Sequence, residues 1–559
     1  MQRAVVVVFA LAAAAIAGPT VAAEGPVCVE NATIDDLHEA LTAGRTTAAD
    51  LIRAYTARID AYDRAGLHLN AVREMNPDAV AIAATIDARK SGARRPLEGI
   101  PVLLKDNIAT GDAQHTTAGS LALADAYANR DATVARLLRD AGAVILGKAN
   151  LTEFANILAI DMPSGYSSLG GQVKNPYAPE VNARGTPIVQ PGGSSSGSAV
   201  AVAAGLTAVA IGTETSGSLL SPASQNGVVT VKPTVGLISR AGIIPITHTQ
   251  DTAGPLTRTV RDAAILLNVL ATPDPLDEAT RDLQRPADYT SVLDKDGLRG
   301  ARIGIPSDPS DPANDIYYGP LLPRAAALMR DVISTLEAAG ATLVRANMSA
   351  ISWIGGPGTE AAVLNRNPES PSRYQVERRP TVYLYELKHD LNVYLRDWAK
   401  GTHMRTMADI IAFNAANADR ALRFGQDIFL ASEASEGGLE AIEYVAARRM
   451  DIHATRTLGI DAYMDEHKLD AILFPSRNGA AVAAKAGYPS VQVPAGMTAG
   501  VGAMRMTPEY PFGATFTGRA WSEPVLLRLA YAFEQATKAR RMPPGVPPLE
   551  PGCSAARAP

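Results

Sequence analysis

Three groups of residues could do chemistry together. They are Lys105, the serines of Gly192-Gly193-Ser194-Ser195-Ser196-Gly197-Ser198, and Ser218 behind the run Gly212-Thr213-Glu214-Thr215-Ser216-Gly217. A serine hydroxyl is a weak nucleophile until a base takes its proton, and a lysine can be that base once burial removes its charge. Consecutive small residues ahead of Ser218 can aim several backbone N–H groups at one oxyanion. Singly, each feature is ordinary: a Gly/Ser run is usually a loop, and a strand-end lysine is usually solvated. Together they supply a nucleophile, a base and an oxyanion cradle.

Other motifs fall away on inspection. Gly142-Ala143-Val144-Ile145-Leu146-Gly147-Lys148-Ala149 approaches a phosphate-binding loop, but it lacks the Ser/Thr that would hold magnesium and its interior is apolar. It reads as a buried strand, stopped by Gly147, with an exposed Lys148. Gly193-Ser194-Ser195-Ser196-Gly197 fits the G-x-S-x-G pattern with Ser195 central. The preceding Pro187 and Pro191 argue against the strand such an elbow needs. No His-x-x-x-His or Cys-x-x-Cys pair exists, so no zinc motif is present. His115 and His248 could serve a Ser-His-Asp triad, yet nothing marks either as a base rather than a satisfied polar side chain.

These groups need elements to hold them. Residues 33–64 carry apolar side chains at helical spacing (Ile34, Leu37, Leu41; Leu51, Ile52, Tyr55, Ile59). Ile100 to Leu104 reads as a buried strand that ends at Lys105, and Ala143 to Leu146 as another, with a helix over Thr133 to Leu138 between them. Pro163 to Gly197 is loop by composition. Ser198 to Gly205 reads as helix and Thr207 to Ile211 as strand, with Gly212 to Ser218 a second loop. Pro273 to Pro312 looks like a linker or surface excursion. Leu387, Leu391, Tyr394 and Leu395 mark a later helix, and Ala471 to Phe474 a strand closing at Pro475. There is no internal repeat. Alternation of strands and helices predicts an α/β fold.

With 559 residues and 47% apolar content, the chain can bury a large core, and a length prior suggests roughly three to four domains. Its 52 Lys+Arg against 57 Asp+Glu give a net charge of -5, which offers no general attraction to phosphate backbones and disfavours nucleic acid as a partner. Arg3, the apolar run Ala4 to Ala17, Pro19 and Val21-Ala22-Ala23 follow one another as in a signal peptide over residues 1–23, the alternative being a retained membrane anchor. Cleavage would leave an exported, periplasmic or secreted chain of residues 24–559, without stable membrane association. Two cysteines, Cys28 and Cys553, lie one near each end. In an oxidising compartment such a pair becomes a disulfide; the alternative is two free thiols in loose tails.

From Pro191 to Pro245 the chain resembles the amidase signature family. The likeness rests on Gly-Gly-Ser-Ser-Ser-Gly-Ser, the Ala-rich helix, Gly212-Thr213-Glu214-Thr215-Ser216-Gly217-Ser218, and Val231-Lys232-Pro233-Thr234-Val235-Gly236. Gly99-Ile100-Pro101 with Lys105-Asp106-Asn107 matches the family's upstream lysine segment. Asp251 to Arg258 matches its continuation, and the likeness resumes at Gly487-Tyr488-Pro489-Ser490, Val493 to Gly496 and Phe533-Glu534-Gln535. The resemblance implies one large domain over residues 24–559, with a signature core at about 99–260: a mixed, mostly parallel sheet wrapped by helices, rather than several domains. It implies Ser218 as nucleophile, Ser194 as a proton-relaying serine held in a cis peptide, and Lys105 as base. Backbone amides of Thr215, Ser216, Gly217 and Ser218 would form the oxyanion hole. Ser195 and Ser196 would then be structural.

Two departures bear on substrate. Ser216 stands where a glycine is common, though only its backbone is required. Leu220 stands where many members have an arginine, which removes a partner for a small anionic substrate and favours an uncharged acyl side. Gly-Thr-Glu-Thr-x-Gly-Ser, Val228-Val229 and Gly242-Ile243-Ile244-Pro245 resemble the exported peptide amidases, which release ammonia from peptide C-terminal carboxamides. The resemblance therefore implies a small-molecule or peptide amide as substrate, with no metal and no other cofactor. The competing expectations are an aryl- or aliphatic-amide or ester hydrolase of the same family, a tRNA-dependent amidotransferase of the A type, and a non-enzymatic binding protein. Substrate side-chain preference, which would draw on residues 300 to 450, and oligomeric state are not legible.

Overall fold

In the computed structural model, residues 25–89, 94–348, 360–364, 376–499, 501–502 and 505–553 are described. The proposed signal segment lies outside them. Eleven strands form one sheet: β1 (Val72–Met75), β2 (Pro101–Lys105), β3 (Val144–Ala149), β4 (Val209–Glu214), β5 (Val229–Lys232), β6 (Thr252–Thr257), β7 (Arg302–Ile305), β8 (Thr342–Arg345), β9 (Ala471–Pro475), β10 (Ser490–Thr498) and β11 (Tyr510–Thr517). Their spatial order is β1-β3-β2-β4-β6-β5-β10-β11-β9-β7-β8. Strand β2 runs parallel to both β3 and β4, and β7 runs parallel to both β8 and β9. Antiparallel pairings join these two parallel blocks through β6, β5, β10 and β11. The mixed sheet wrapped by helices is thus present, its parallel strands grouped towards the two sides.

The helices that matter for the site are α1 (Ser196–Ala203), α2 (Leu220–Asn226) and α3 (Thr381–Asp397). Helix α1 is buried all round, which suits its run of Ala, Val, Gly and Ser and lets it lie in the interior beside β4. Strand β2 is buried along its whole length, and Val102, Leu103 and Leu104 are each 0% exposed. Each such side chain stabilises the fold by roughly 1.5–3 kcal/mol. Their burial offsets part of the cost of carrying Lys105 into the same interior, where desolvation disfavours its charged form.

Three local expectations change. Strand β3 runs straight through Gly147 instead of stopping there. A Cβ at Gly147 would lie 2.2 Å from the Glu74 carbonyl of β1, so the glycine allows close strand approach. Lys148 is not exposed: it is fully buried, and its ammonium donates to Ile108 O (2.7 Å) and Thr116 Oγ1 (3.0 Å). The apolar strand carries it inward because those two acceptors satisfy it there. Pro273 to Pro312 is also more than an excursion. It contains β7 and buries Tyr289, Leu298 and Ala301, while Asp274 binds the hydroxyls of Thr133 and Ser239.

The first and last segments of the described residues close on one place. Arg58, 1% exposed, donates to the carbonyls of Ala204, Gly205, Val546 and Pro547. Arg540 reaches Asn31 Oδ1 (2.8 Å), and Cys28 is joined to Cys553 with a Cα–Cα distance of 5.6 Å. A bridge across so long a loop contributes about 2–4 kcal/mol. Intact-mass analysis of the alkylated but unreduced protein should therefore show no added label, and two labels after reduction. Two labels without reduction would show that the bridge does not form.

Candidate active site

The sheet places Lys105 at the C-terminal end of β2, between β3 and β4. Its side chain is 0% exposed, and burial pushes its pKa down to about 7, with the Asp251 and Glu214 carboxylates opposing that shift. Burial alone does not single it out, since Lys148 and Lys232 are equally buried and both are lowered to about 8. Geometry does. Lys105 Nζ lies 2.8 Å from Ser194 Oγ, 2.8 Å from Thr213 Oγ1 and 3.2 Å from Thr213 O. A neutral amine has two N–H donors and one lone pair. The Thr213 carbonyl and hydroxyl oxygens can take the two donors, leaving the lone pair for the hydroxyl of Ser194.

Ser194 follows a cis Gly193–Ser194 peptide and is fully buried, whereas Ser218 keeps 8% exposure. The two serine loops are joined at the backbone, with Ser195 N donating to Ser218 O at 3.2 Å. Ser195 Oγ donates to Thr213 O (3.0 Å) and accepts from Thr213 N (3.2 Å), so it fixes the residue that holds Lys105. Ser196 Oγ donates to Gly192 O. Strand β4 extends to Glu214, so Gly212 to Glu214 are strand and the loop begins only at Thr215. Pairing with β6 (Gly212 with Gly254, Glu214 with Thr252) supplies the tertiary partner that extends it.

The turn carrying Ser218 is set from both sides. Gly217 has φ +84°, a left-handed conformation that a side chain would oppose. Glu214 Oε2 accepts from Leu219 N (2.7 Å) and Leu220 N (3.0 Å), tying the start of α2 to the end of β4. Among the described residues, the backbone N–H groups of Thr215, Ser216, Gly217 and Ser218 donate to no protein acceptor. They stand as four uncommitted donors beside Ser218, which keeps a small exposed surface where Ser194 has none.

Several contributors lie in the matched motifs but are given no role there. Thr213 and Asn107, whose Nδ2 donates to Thr213 Oγ1 (3.0 Å), read as ordinary polar residues until the fold joins them to Lys105. Asp251 accepts from Thr215 Oγ1, Ile246 N (2.8 Å) and Thr247 N (3.0 Å), and burial raises its pKa to about 6. Arg477, in the turn after β9, is exposed, and a methyl group on Gly217 would lie 3.9 Å from its Cδ. A cavity of about 250 Å³, lined by Ile244, Ile246, Val393 and Trp398, borders Thr213 and Thr215 rather than Ser218. His115 pairs with Glu74 and His248 with Asp390, and neither bonds to a serine of the site.

The Amidase family profile matches residues 50–527. The chain belongs to this family. The enzyme is 41% identical to the peptide amidase of Stenotrophomonas maltophilia, whose structure superposes with a TM-score of 0.79 over 93% of this chain and 99% of that one. A "Probable amidase" of Arabidopsis thaliana is 39% identical, covering 92% of each chain. A glutamyl-tRNA(Gln) amidotransferase of the A type from Moorella thermoacetica is 30% identical over 92% of this chain and 98% of its own. The enzyme is an amide-hydrolysing member of the amidase signature family.

Proposed function

We propose that the enzyme hydrolyses peptide C-terminal carboxamides to carboxylate and ammonia, using Ser218 as nucleophile, Ser194 as proton relay and Lys105 as base. The observation that carries this reading is the buried contact of Lys105 Nζ with Ser194 Oγ at 2.8 Å, one residue from the amide that binds the Ser218 carbonyl. Neutral Lys105 takes the Ser194 proton while Ser194 takes that of Ser218, whose Oγ bonds to the amide carbon. The carbonyl oxygen, now anionic, meets the free N–H groups of Thr215 to Ser218. Collapse breaks the C–N bond, the proton returns through Ser194 to the nitrogen, and ammonia leaves. Water then enters by the same proton route and releases the acid from Ser218. Likeness to the Stenotrophomonas peptide amidase supports the substrate class.

Ammonia release from a panel of amidated peptides, anilides, fatty amides and esters tests this reading. The expected order places amidated peptides first, with activity unchanged by EDTA. A clear preference for anilides, fatty amides or esters would overturn the substrate class, and loss of activity in EDTA would overturn the metal-free route. The Moorella relative motivates a second reading, amide-nitrogen delivery to a charged tRNA. The net charge of -5 weighs against a phosphate-rich partner. Export to an oxidising compartment belongs to the same proposal, and the Cys28–Cys553 disulfide supports it.

A further inference from the structure

A second cluster of ligating side chains lines the cavity that borders Thr213 and Thr215. Helix α3 presents Glu386, His389 and Asp390 at helical spacing, and the loop before β6 brings His248 onto them. His248 Nδ1 lies 2.9 Å from Asp390 Oδ2 and 3.7 Å from Glu386 Oε2. One ligand atom from each of the three residues lies within 4.8 Å of the others. His389 Nδ1 is 2.8 Å from Asp390 Oδ1, and the two imidazole centroids are 6.4 Å apart.

We infer that His248, Glu386 and Asp390 form a binding site for one zinc-class divalent cation. Around a tetrahedral ion with bonds of about 2.0–2.2 Å, neighbouring ligand atoms stand roughly 3.3–3.6 Å apart. The 2.9 and 3.7 Å separations bracket that range, so small side-chain movements would seat an ion. Imidazole nitrogen with two carboxylate oxygens suits zinc better than calcium or magnesium, which favour all-oxygen shells.

The ligands are already oriented by other groups, as metal ligands usually are. Glu386 is 0% exposed. Its Oε1 accepts from Tyr444 Oη (2.7 Å), and its Oε2 accepts from Thr249 Oγ1 (3.0 Å) and Thr249 N (3.1 Å). The His248 amide donates to Asp390 Oδ2 (2.8 Å). His248 itself has a side chain 42% exposed, which leaves an open approach over a buried carboxylate floor. Arg240, whose guanidinium also reaches His248 O, is paired with Asp277, so its charge is already matched. The sequence hides the site because its members come from residue 248 and residues 386–390, far apart in the chain. An ion there would bridge the 246–251 loop to α3 at the cavity. The site shares its cavity with Thr213 and Thr215, and the serine–lysine route does not use it.

Isothermal titration of the tag-free, chelator-treated full chain with zinc chloride reads this directly. One ion should bind per chain, with affinity reduced by at least about tenfold in His248→Gln and in Asp390→Asn. Titration with cobalt(II) should give a visible ligand-field band that both variants lose. A zinc-dependent rise in melting temperature, present in the wild type and absent in the variants, would show that binding occurs on the folded chain. No binding of either metal would overturn the inference, leaving a histidine–carboxylate ion pair. Equal affinity in wild type and both variants would also overturn it.

Discussion

Ser218→Ala should lower turnover of an amidated peptide by about 10⁴–10⁶-fold while leaving the melting temperature within a degree or two of wild type. The kinetic loss is large because no other group can form the acyl-enzyme. Ser194 is fully buried and in contact with Lys105, and Ser195 and Ser196 are turned to Thr213 and Gly192. The thermal effect is small because the turn does not depend on that hydroxyl. Glu214 holds the Leu219 and Leu220 amides, and Ser221 N donates to Gly217 O at 2.8 Å. Steady-state ammonia release and a mass-shift assay with a fluorophosphonate check both halves, since the label should add once to wild type and not to the variant. Residual turnover above about a hundredth of wild type would remove Ser218 from the nucleophile's role.

Lys105→Arg should be nearly as inactive as Lys105→Ala, each losing about 10²–10⁴-fold. Arginine keeps a positive charge and much of the reach, but it cannot give up its proton in a protein. A lysine that merely held Ser194 by charge and hydrogen bonding would survive the exchange in large part; a base would not. The pH profile separates the two further. Burial lowers the Lys105 pKa from 10.5 to about 7, so the active neutral amine fills as pH rises through about 7 and empties as pH falls below it. A substantial share of the molecules then carries the neutral form near neutral pH, against about a few in ten thousand for an exposed lysine. The wild-type rate should therefore climb on a limb near pH 7, and residual activity of Lys105→Arg should lack that limb. Circular dichroism and melting on the same samples separate loss of base from loss of fold. An arginine variant retaining more than about a tenth of wild-type turnover would falsify the base role and leave Ser218 untouched.

The order of elements around the site was legible in the residues. Apolar runs bounded by Gly and Pro marked β2 and β9, and helical spacing marked α3. Lys105 stood out because it ends an apolar run, whereas Ser194 and Ser218 lay in Gly/Ser loops and took their separate roles from the family resemblance. Local pattern could not say which lysine would be aimed at a serine. Lys148 also ends an apolar stretch, yet β3 points it at Ile108 O and Thr116, while neighbouring β2 points Lys105 at Ser194. Strand position within the sheet, a long-range property, makes that choice. The extension of β4 through Glu214 depends on β6, which comes some forty residues later and was invisible to a local window. The same holds for Arg477 beside Gly217 and for His248 on α3, where residues without a shared motif meet only after distant segments pack. Sequence by itself determined which side chains were available and the conformations their neighbours prefer. Tertiary structure decided their burial, and with it the protonation of Lys105, because desolvation is imposed by every segment that closes over a group rather than by those next to it in the chain.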